Sequence, residues 1–538
     1  MEENQQKQLW WQKGVIYQIY PRSFQDSNGD GVGDLQGVIK RLDHLQWLGV
    51  TAVWLSPIYP SPMADYGYDI SDYQTIHPLF GSLADFDELL GEVHRRNMKL
   101  ILDLVPNHTS DQHPWFLESR SSRDNPKRDW YIWHDARPDG SEPNNWLAMF
   151  GGTAWEWDEK TDQYYYHAFL KEQPDLNWRN PAVQEAMLNV MRFWLDKGVD
   201  GFRVDVMWHM VKDEKLRDNP PNPAYESHMA TYEQLLPVYS TDQPEVHDIV
   251  RKMRAVLDSY DERMMIGEIY LPIQKLMTYY GSDGKGAHLP FNFQLLSLPW
   301  DARQIAAAID QYEGALPVGG WPNWVLGNHD QPRITSRVGL EQARVAALLL
   351  LTLRGTPTIY YGEEIGMRDV PIPFEEVQDP QGLNMPDKNL SRDPARTPMQ
   401  WDRTANGGFT AGRPWLRLAR NYTRENVQLQ KEDPFSVLSF YRRLLTYREK
   451  EPVLMQGDYK PVYSDHQMIA FVRELEGHPC FLIALNLSHR PCYFKPPHFP
   501  FRGIIEVATA TELEGTDVSG TINLSGDDGV LVRLDEKA

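Results

Sequence analysis

Cysteine is almost absent from this chain of 538 residues: there are two, Cys480 and Cys492. Two cannot make a disulfide framework, and their spacing matches no metal-ligand pattern. Long apolar runs are missing as well, for the richest, Val345 to Leu353, is far too short to span a bilayer. The opening Met1-Glu-Glu-Asn-Gln-Gln-Lys-Gln lacks the basic stretch and apolar core of a secretory leader. Positive charge is in short supply, with 54 Lys and Arg against 75 Asp and Glu and a net charge of −21. These shortages argue against nucleic acid and anionic membrane as partners and suit a neutral or cationic ligand. Cytoplasm is the expected location; oligomeric state stays open.

What is present is an ordinary globular composition, 41% hydrophobic and 24% charged, on a chain too long for one core. Two or three domains are expected. Short apolar runs near 15–20, 52–56, 99–105, 201–206, 264–270, 289–293, 324–328 and 356–361 read as strands. Amphipathic stretches such as 36–48, 84–97, 182–197, 246–258 and 341–353 read as helices between them. That alternation predicts an α/β fold, a (β/α)8 TIM barrel whose active site lies at the carboxyl ends of the strands. Residues 106–176 are too long and too aromatic for a loop and are expected to form a small inserted domain after the third strand. From 455 to 538 short strands and turns predict an antiparallel β-sandwich. Domain boundaries follow: barrel at 1–105 and 177–454, insert at 106–176, sandwich at 455–538.

Three of the expected strands end in an acid: Asp205, Glu268 and Asp330. A carboxylate is costly to desolvate, so its recurrence at strand ends suggests charge that is used. Arg203, two residues before Asp205 on the same strand, faces the same side and would hold Asp205 ionised and aligned.

In order along the chain stand Asp103-Leu-Val-Pro-Asn-His108, Gly201-Phe-Arg-Val-Asp205, Gly267-Glu268 and Asn328-His-Asp330. Together they resemble the four signature segments of the α-amylase superfamily, glycoside hydrolase family 13. Gln173-Pro-Asp-Leu-Asn177 is similar to the segment marking its oligo-1,6-glucosidase and α-glucosidase branch. Trp10-Trp11, Gln18-Ile-Tyr-Pro-Arg-Ser-Phe24 and Arg396-Thr-Pro-Met-Gln-Trp401 point the same way. The resemblance implies Asp205 as nucleophile, Glu268 as general acid/base and Asp330 as third carboxylate. It implies a glucose pocket made by Asp65, Tyr68, His108, His329 and Arg392, with Asp65 and Arg392 paired across its floor so that only chain ends enter. Phe150 and Phe169 are expected to stack on the sugar or, alternatively, to pack in the core. In this branch valine after the nucleophile accompanies α-1,6 preference, so Val206 implies isomaltose-type substrates.

The implied activity is a retaining, exo-acting α-glucosidase working through a covalent glucosyl-enzyme, with some transglycosylation and no organic cofactor. A transferase, isomerase or phosphorylase on the same carboxylates is the nearer alternative, and a non-catalytic binding homologue the more distant one. Asp26, Asn28, Asp30 and Asp34 place oxygen side chains at alternate positions of a glycine-rich loop. Related α-glucosidases hold Ca²⁺ (or Mg²⁺) there with these four and the Val32 carbonyl, which implies a structural ion. The alternative is an ion-free loop of Asx turns.

Overall fold

The computed structural model describes residues 9–496 and 498–535. Eight parallel strands curl into a ring: β1 (Ile16–Ile19), β2 (Ala52–Leu55), β3 (Lys99–Leu104), β4 (Gly201–Val204), β5 (Met264–Gly267), β6 (Leu289–Pro290), β7 (Asn323–Val325) and β8 (Thr356–Tyr360). Neighbours pair in chain order, and β8 returns to β1 through Ile16 opposite Thr358. Where β6 meets β7 a side chain stands in for a ladder. Asn323 Nδ2 donates to the Pro290 carbonyl (2.6 Å), and its Oδ1 accepts from Asn292 N (2.9 Å).

The strands are shorter than their apolar runs, most of all β6, which ends at Pro290 instead of reaching 293. Proline has no N–H to donate, so a regular ladder cannot run through it. Phe291 N still reaches the Gly267 carbonyl (2.8 Å), so the chain continues upward without being a strand.

Period two along each strand decides what lies inside. Ile16, Ala52, Trp54, Ile101, Met264, Ile266, Leu289 and Val325 meet in one buried cluster inside the ring. Their neighbours Tyr17, Val53, Leu100, Phe202 and Met265 turn outward into the layer shared with the helices. Continuing the inward parity beyond the apolar residues gives Gln18, Asp103, Arg203, Asp205 and Glu268. The same alternation that builds the core therefore delivers the charged groups to one rim.

Helices close the outside. Leu35–Leu48 begins on Asp34, whose carboxylate accepts from Gly37 N, and ends at Gly49 in the left-handed region (φ 100°). Between β3 and β4 the chain leaves the barrel and makes helix Pro114–Ser119 and a three-stranded antiparallel sheet of Trp133–His134, Gln163–Tyr166 and Trp155–Asp158. At the other end of the chain a six-stranded antiparallel sheet faces a two-stranded one, Cys492–Phe494 with Ile522–Leu524. Met468, Ala470 and Val472 point into the core between them, while Ile469 and Phe471 point to the barrel side. Cys480 and Cys492 are both free thiols. Among the described residues no helix is long and apolar enough to cross a membrane.

Candidate active site

At the carboxyl rim opens a cavity of about 1160 Å³. Asp65, Tyr68, His108, Phe150, Phe169, Asp205, Val206, Glu268, His329, Asp330 and Arg392 all line it, so eleven residues drawn from separate loops converge on one space. Arg203 sits behind this wall, 1% exposed, and reaches the cavity only through the carboxylates it holds.

Arg203 is shared by three acids. Its Nη1 donates to Asp103 (2.9 Å) and Asp205 (2.6 Å), and its Nη2 is ion-paired with Glu268 (2.7 Å). The guanidinium stacks over Trp54, 5.2 Å from the ring centre. Three buried carboxyls on one cation cannot all be ionised cheaply. Burial drives Asp205 well above the ordinary carboxylate range; Arg203 opposes the shift, and Glu268 and Asp103 add to it. Glu268 is raised for the same first reason, burial, again with Arg203 opposing. Arg203 bonds Asp205 at 2.6 Å and is the main charge opposing the upward push of burial. Asp205 and Glu268 lie within hydrogen-bonding reach of each other, so their protons come off as a pair, in a range that burial raises and Arg203 holds back.

Local backbone aims this pair. Asp205 N donates to Leu104 O (2.8 Å) and Glu268 N to Val204 O (2.9 Å), extending the ladder by one residue on each strand. Immediately after, Val206 adopts φ 34° and ψ 47°, left-handed and unfavourable for a β-branched residue. That turn points its N–H at Glu268 Oε2 (2.9 Å), fixing the acid.

Asp330 has the opposite surroundings. Its Oδ1 accepts from Arg392 Nη1 (3.2 Å) and Arg396 Nη2 (2.9 Å). Burial would raise its pKa, but His329, Arg392 and Arg396 outweigh burial and hold it far below the ordinary range. Burial also pushes His329 down to about 3, so at neutral pH the imidazole is uncharged and the two arginines keep Asp330 ionised. The ring is fixed on both nitrogens, Nε2 to the Tyr68 hydroxyl (2.7 Å) and Nδ1 to Gln18 Nε2 (2.8 Å), and lies parallel to Tyr68.

The floor is closed by Arg392, which bonds Asp65 (2.8 Å) and Asp379 (2.6 Å) and lies 4.7 Å over the Phe150 ring. Gln173 donates to Asp65 (3.2 Å) and contacts His108 Nε2 (3.1 Å). Below them Lys212 is ion-paired to Asp175 and donates to Asn107 Oδ1 (2.7 Å), clamping the insert to the barrel. Phe169 packs on His108 and Phe150, with ring centres 5.2 Å and 5.5 Å away.

Several members of this network escaped the sequence reading. Asp103 ends an apolar run on β3 as the other acids do and was available to the same argument. Gln18 and Arg396 stand in segments that carried the family resemblance but were given no role there, and Asp379 and Lys212 carry no local mark at all.

The 26–34 loop is a latch. Asp26 accepts from Asn28 N, Gly29 N and Gly31 N (2.8, 2.7 and 2.9 Å) and from Thr410 Oγ1, and Trp415 N donates to Gly31 O (3.0 Å). Asn28 and Asp30 form Asx turns to Asp30 N and Val32 N, and Asp34 caps the first long helix. The donor set, all oxygen, has the right chemistry for a hard cation. Its carboxylates are turned onto backbone N–H groups, and among the described residues no group of three or more His, Cys, Asp or Glu is arranged to hold a metal ion.

Residues 18–457 match the family model described as the alpha amylase catalytic domain. A probable alpha-glucosidase of Rhizobium meliloti (strain 1021) is 43% identical over 494 residues, covering 89% of each chain. An oligo-1,6-glucosidase of Parageobacillus thermoglucosidasius is 41% identical over 535 residues, 92% of this chain and 94% of its own. Among solved structures, the alpha-glucosyl transfer enzyme XgtA superposes with a TM-score of 0.93 at 40% identity, over 98% of this chain and 100% of that one. With its signature acids gathered on one barrel rim, the chain belongs to the alpha-amylase family, glycoside hydrolase family 13, and is a glycoside hydrolase of the α-glucosidase and oligo-1,6-glucosidase branch.

Proposed function

We propose a retaining, exo-acting α-glucosidase that removes terminal non-reducing glucose from short α-glucosides, α-1,6-linked ones first. The observation that carries this reading is the Asp205–Glu268 contact on Arg203, directly above a floor shut by Asp65 and Arg392. Retention calls for carboxyls ~5–5.5 Å apart, whereas inversion needs ~6.5–9.5 Å to admit a water; a hydrogen-bonded pair favours the former.

The bound glucose would press its anomeric carbon toward Asp205, with Glu268 facing the glycosidic oxygen. Substrate separates the pair: the shared proton stays on Glu268, which donates it to the leaving oxygen as ionised Asp205 attacks. Water then resolves the glucosyl ester, with Glu268 taking its proton. Asp330, ionised by its arginines, stabilises the positive charge that develops at the anomeric carbon.

A further proposal is a structural Ca²⁺ or Mg²⁺ in the 26–34 loop, supported by donor type and remote from the chemistry. Transfer to a sugar hydroxyl in place of water is the second reading, favoured by the likeness to a glucosyl transfer enzyme. Isomaltotriose labelled at its reducing end tests the exo claim. The first products should be unlabelled glucose and labelled isomaltose; labelled glucose with unlabelled isomaltose would refute it, and longer labelled sugars would favour transfer.

A further inference from the structure

Gln18 is a polar side chain deep inside the barrel. It stands on β1 two residues after Ile16, fully buried, with its inward direction fixed by the alternation along the strand. Its amide nitrogen lies 2.8 Å from His329 Nδ1 and 3.5 Å from Ser56 Oγ, while its Oε1 has no hydrogen-bond partner. Turning the amide over would exchange these ends. The oxygen could then accept from Ser56 and from a protonated Nδ1, but both N–H groups would be buried without an acceptor. With nitrogen toward His329 both N–H groups are used and one carbonyl oxygen is left over, so this orientation costs less.

Charge on the far side of the imidazole requires the same arrangement. His329 Nε2 faces the Tyr68 hydroxyl (2.7 Å) and Asp330 Oδ2 (3.3 Å), and Arg392 and Arg396 keep Asp330 ionised. A bare lone pair on Nε2 would point at that carboxylate, whereas an N–H is attracted to it. A neutral imidazole has one proton to place, so Nε2 carries it and Nδ1 accepts from Gln18. Stacking with Tyr20 and Tyr68, at centre distances of 5.8 Å and 5.5 Å, holds the ring plane, and Arg396 Nε donates to the His329 carbonyl (2.8 Å). The Tyr68 hydroxyl, receiving from Nε2, sends its own proton to Asp103 Oδ2 (3.1 Å), which also accepts from Trp54 Nε1 (3.2 Å). A directed chain thus runs from Gln18 through His329 and Tyr68 to Asp103, from the surroundings of Asp330 to those of Arg203.

We propose that Gln18 is a positioning residue: it sets His329 as the tautomer protonated on Nε2 and so directs the Tyr68 proton onto Asp103. What the chain serves rests on the α-glucosidase reading above; the tautomer does not. With two neutral donors on Asp103, the Arg203 guanidinium is freer for Asp205 and Glu268, the acids that react. In the reversed chain Nδ1 would hold the proton, Tyr68 would donate to Nε2, and Asp103 would draw harder on Arg203.

The tautomer is read by NMR from the ring nitrogens of the parent enzyme carrying ¹⁵N-labelled histidine, with His329 identified by the signals lost in His329→Gln. The expected result at neutral pH is a proton on Nε2 and none on Nδ1; a proton on Nδ1 would overturn the proposal. Gln18→Met then keeps the side-chain length and removes the donor. The charged and titratable groups around the ring are Asp330 beside it, Arg203 on β4, Arg392 and Arg396 after β8, and Tyr20 and Tyr68, and all are retained in this variant. Losing the N–H that stabilises the Nδ1 lone pair should let Nδ1 take a proton at a pH where the parent ring is still neutral. On isomaltose or maltose kcat should fall by about tenfold, the scale of one lost hydrogen bond, with KM changed by less than about threefold. Unchanged ring signals in Gln18→Met would overturn the proposal, and altered signals with unchanged kcat would overturn its service to the reaction. Should Gln18→Met not fold, the parent spectrum decides alone. The expected tautomer in an enzyme that hydrolyses neither sugar would leave the assignment of Gln18 standing and remove the α-glucosidase reading.

Discussion

Two acid clusters line this pocket, and their surroundings push the carboxyl pKa values in opposite directions. Around Arg203 three carboxyls share one guanidinium, and Asp205 and Glu268 are pushed toward keeping a proton. Around Asp330 two arginines attend the carboxylate, and it is held ionised. Asp330 is also the more exposed, its side chain at 21% against 9% for Asp205 and 6% for Glu268, so a better ratio of cations to anions and a smaller desolvation act together. A retaining glycosidase needs such a division: one proton on the side of the leaving group and one fixed negative charge beside the anomeric carbon.

Asp205→Asn should have the largest effect. It should cut kcat by about 10⁴-fold or more, as loss of a nucleophile does. It should also raise thermal stability above the ordinary carboxylate pKa. The sign follows from the raised folded-state pKa: the ionised form is disfavoured by folding, so the stability penalty is absent at low pH and grows as pH rises through the unfolded value. Asparagine removes that penalty. Asp330→Asn, by contrast, should lower stability, because buried Arg396 loses its ion-pair partner and Arg392 loses one of three. Melting curves of both variants across pH check the contrast.

Asp103→Asn sharpens it. Asp103 raises Asp205 by like charge and takes a share of Arg203, so its neutralisation should move the acid limb of the kcat/KM profile to lower pH. An unmoved limb would mean that Asp103 only packs. Val206→Thr acts at the rim of the dyad, and the isomaltose-to-maltose ratio should fall by about tenfold, equivalent to ~1.4 kcal/mol of discrimination. Chelation should have the smallest effect, a few °C on Tm with initial rates unchanged, if the latch at 26–34 holds its proposed ion.

The barrel was legible because period two and period 3.6 alternate along the chain, and the acids because each charge ends an apolar run. Arg203 could be assigned to the same face as Asp205 because parity on a strand is fixed. What stayed hidden depends on distance in the chain. His329 is 311 residues from Gln18, so only the fold could join them, whereas the Asp65–Arg392 pair, 327 residues apart, was reached through the family resemblance and not through spacing. The raised pKa of Asp205 was equally invisible, for it depends on how many acids one arginine must serve. The short β6 was readable at Pro290, yet the seam it leaves is closed by Asn323, which no local pattern singles out.

Proton NMR of the first glucose released from isomaltose tests the division of labour most directly. The account predicts α-glucose, with β-glucose appearing only as mutarotation proceeds. β-Glucose as the initial product would contradict it, because water would then stand where Asp205 is placed to attack.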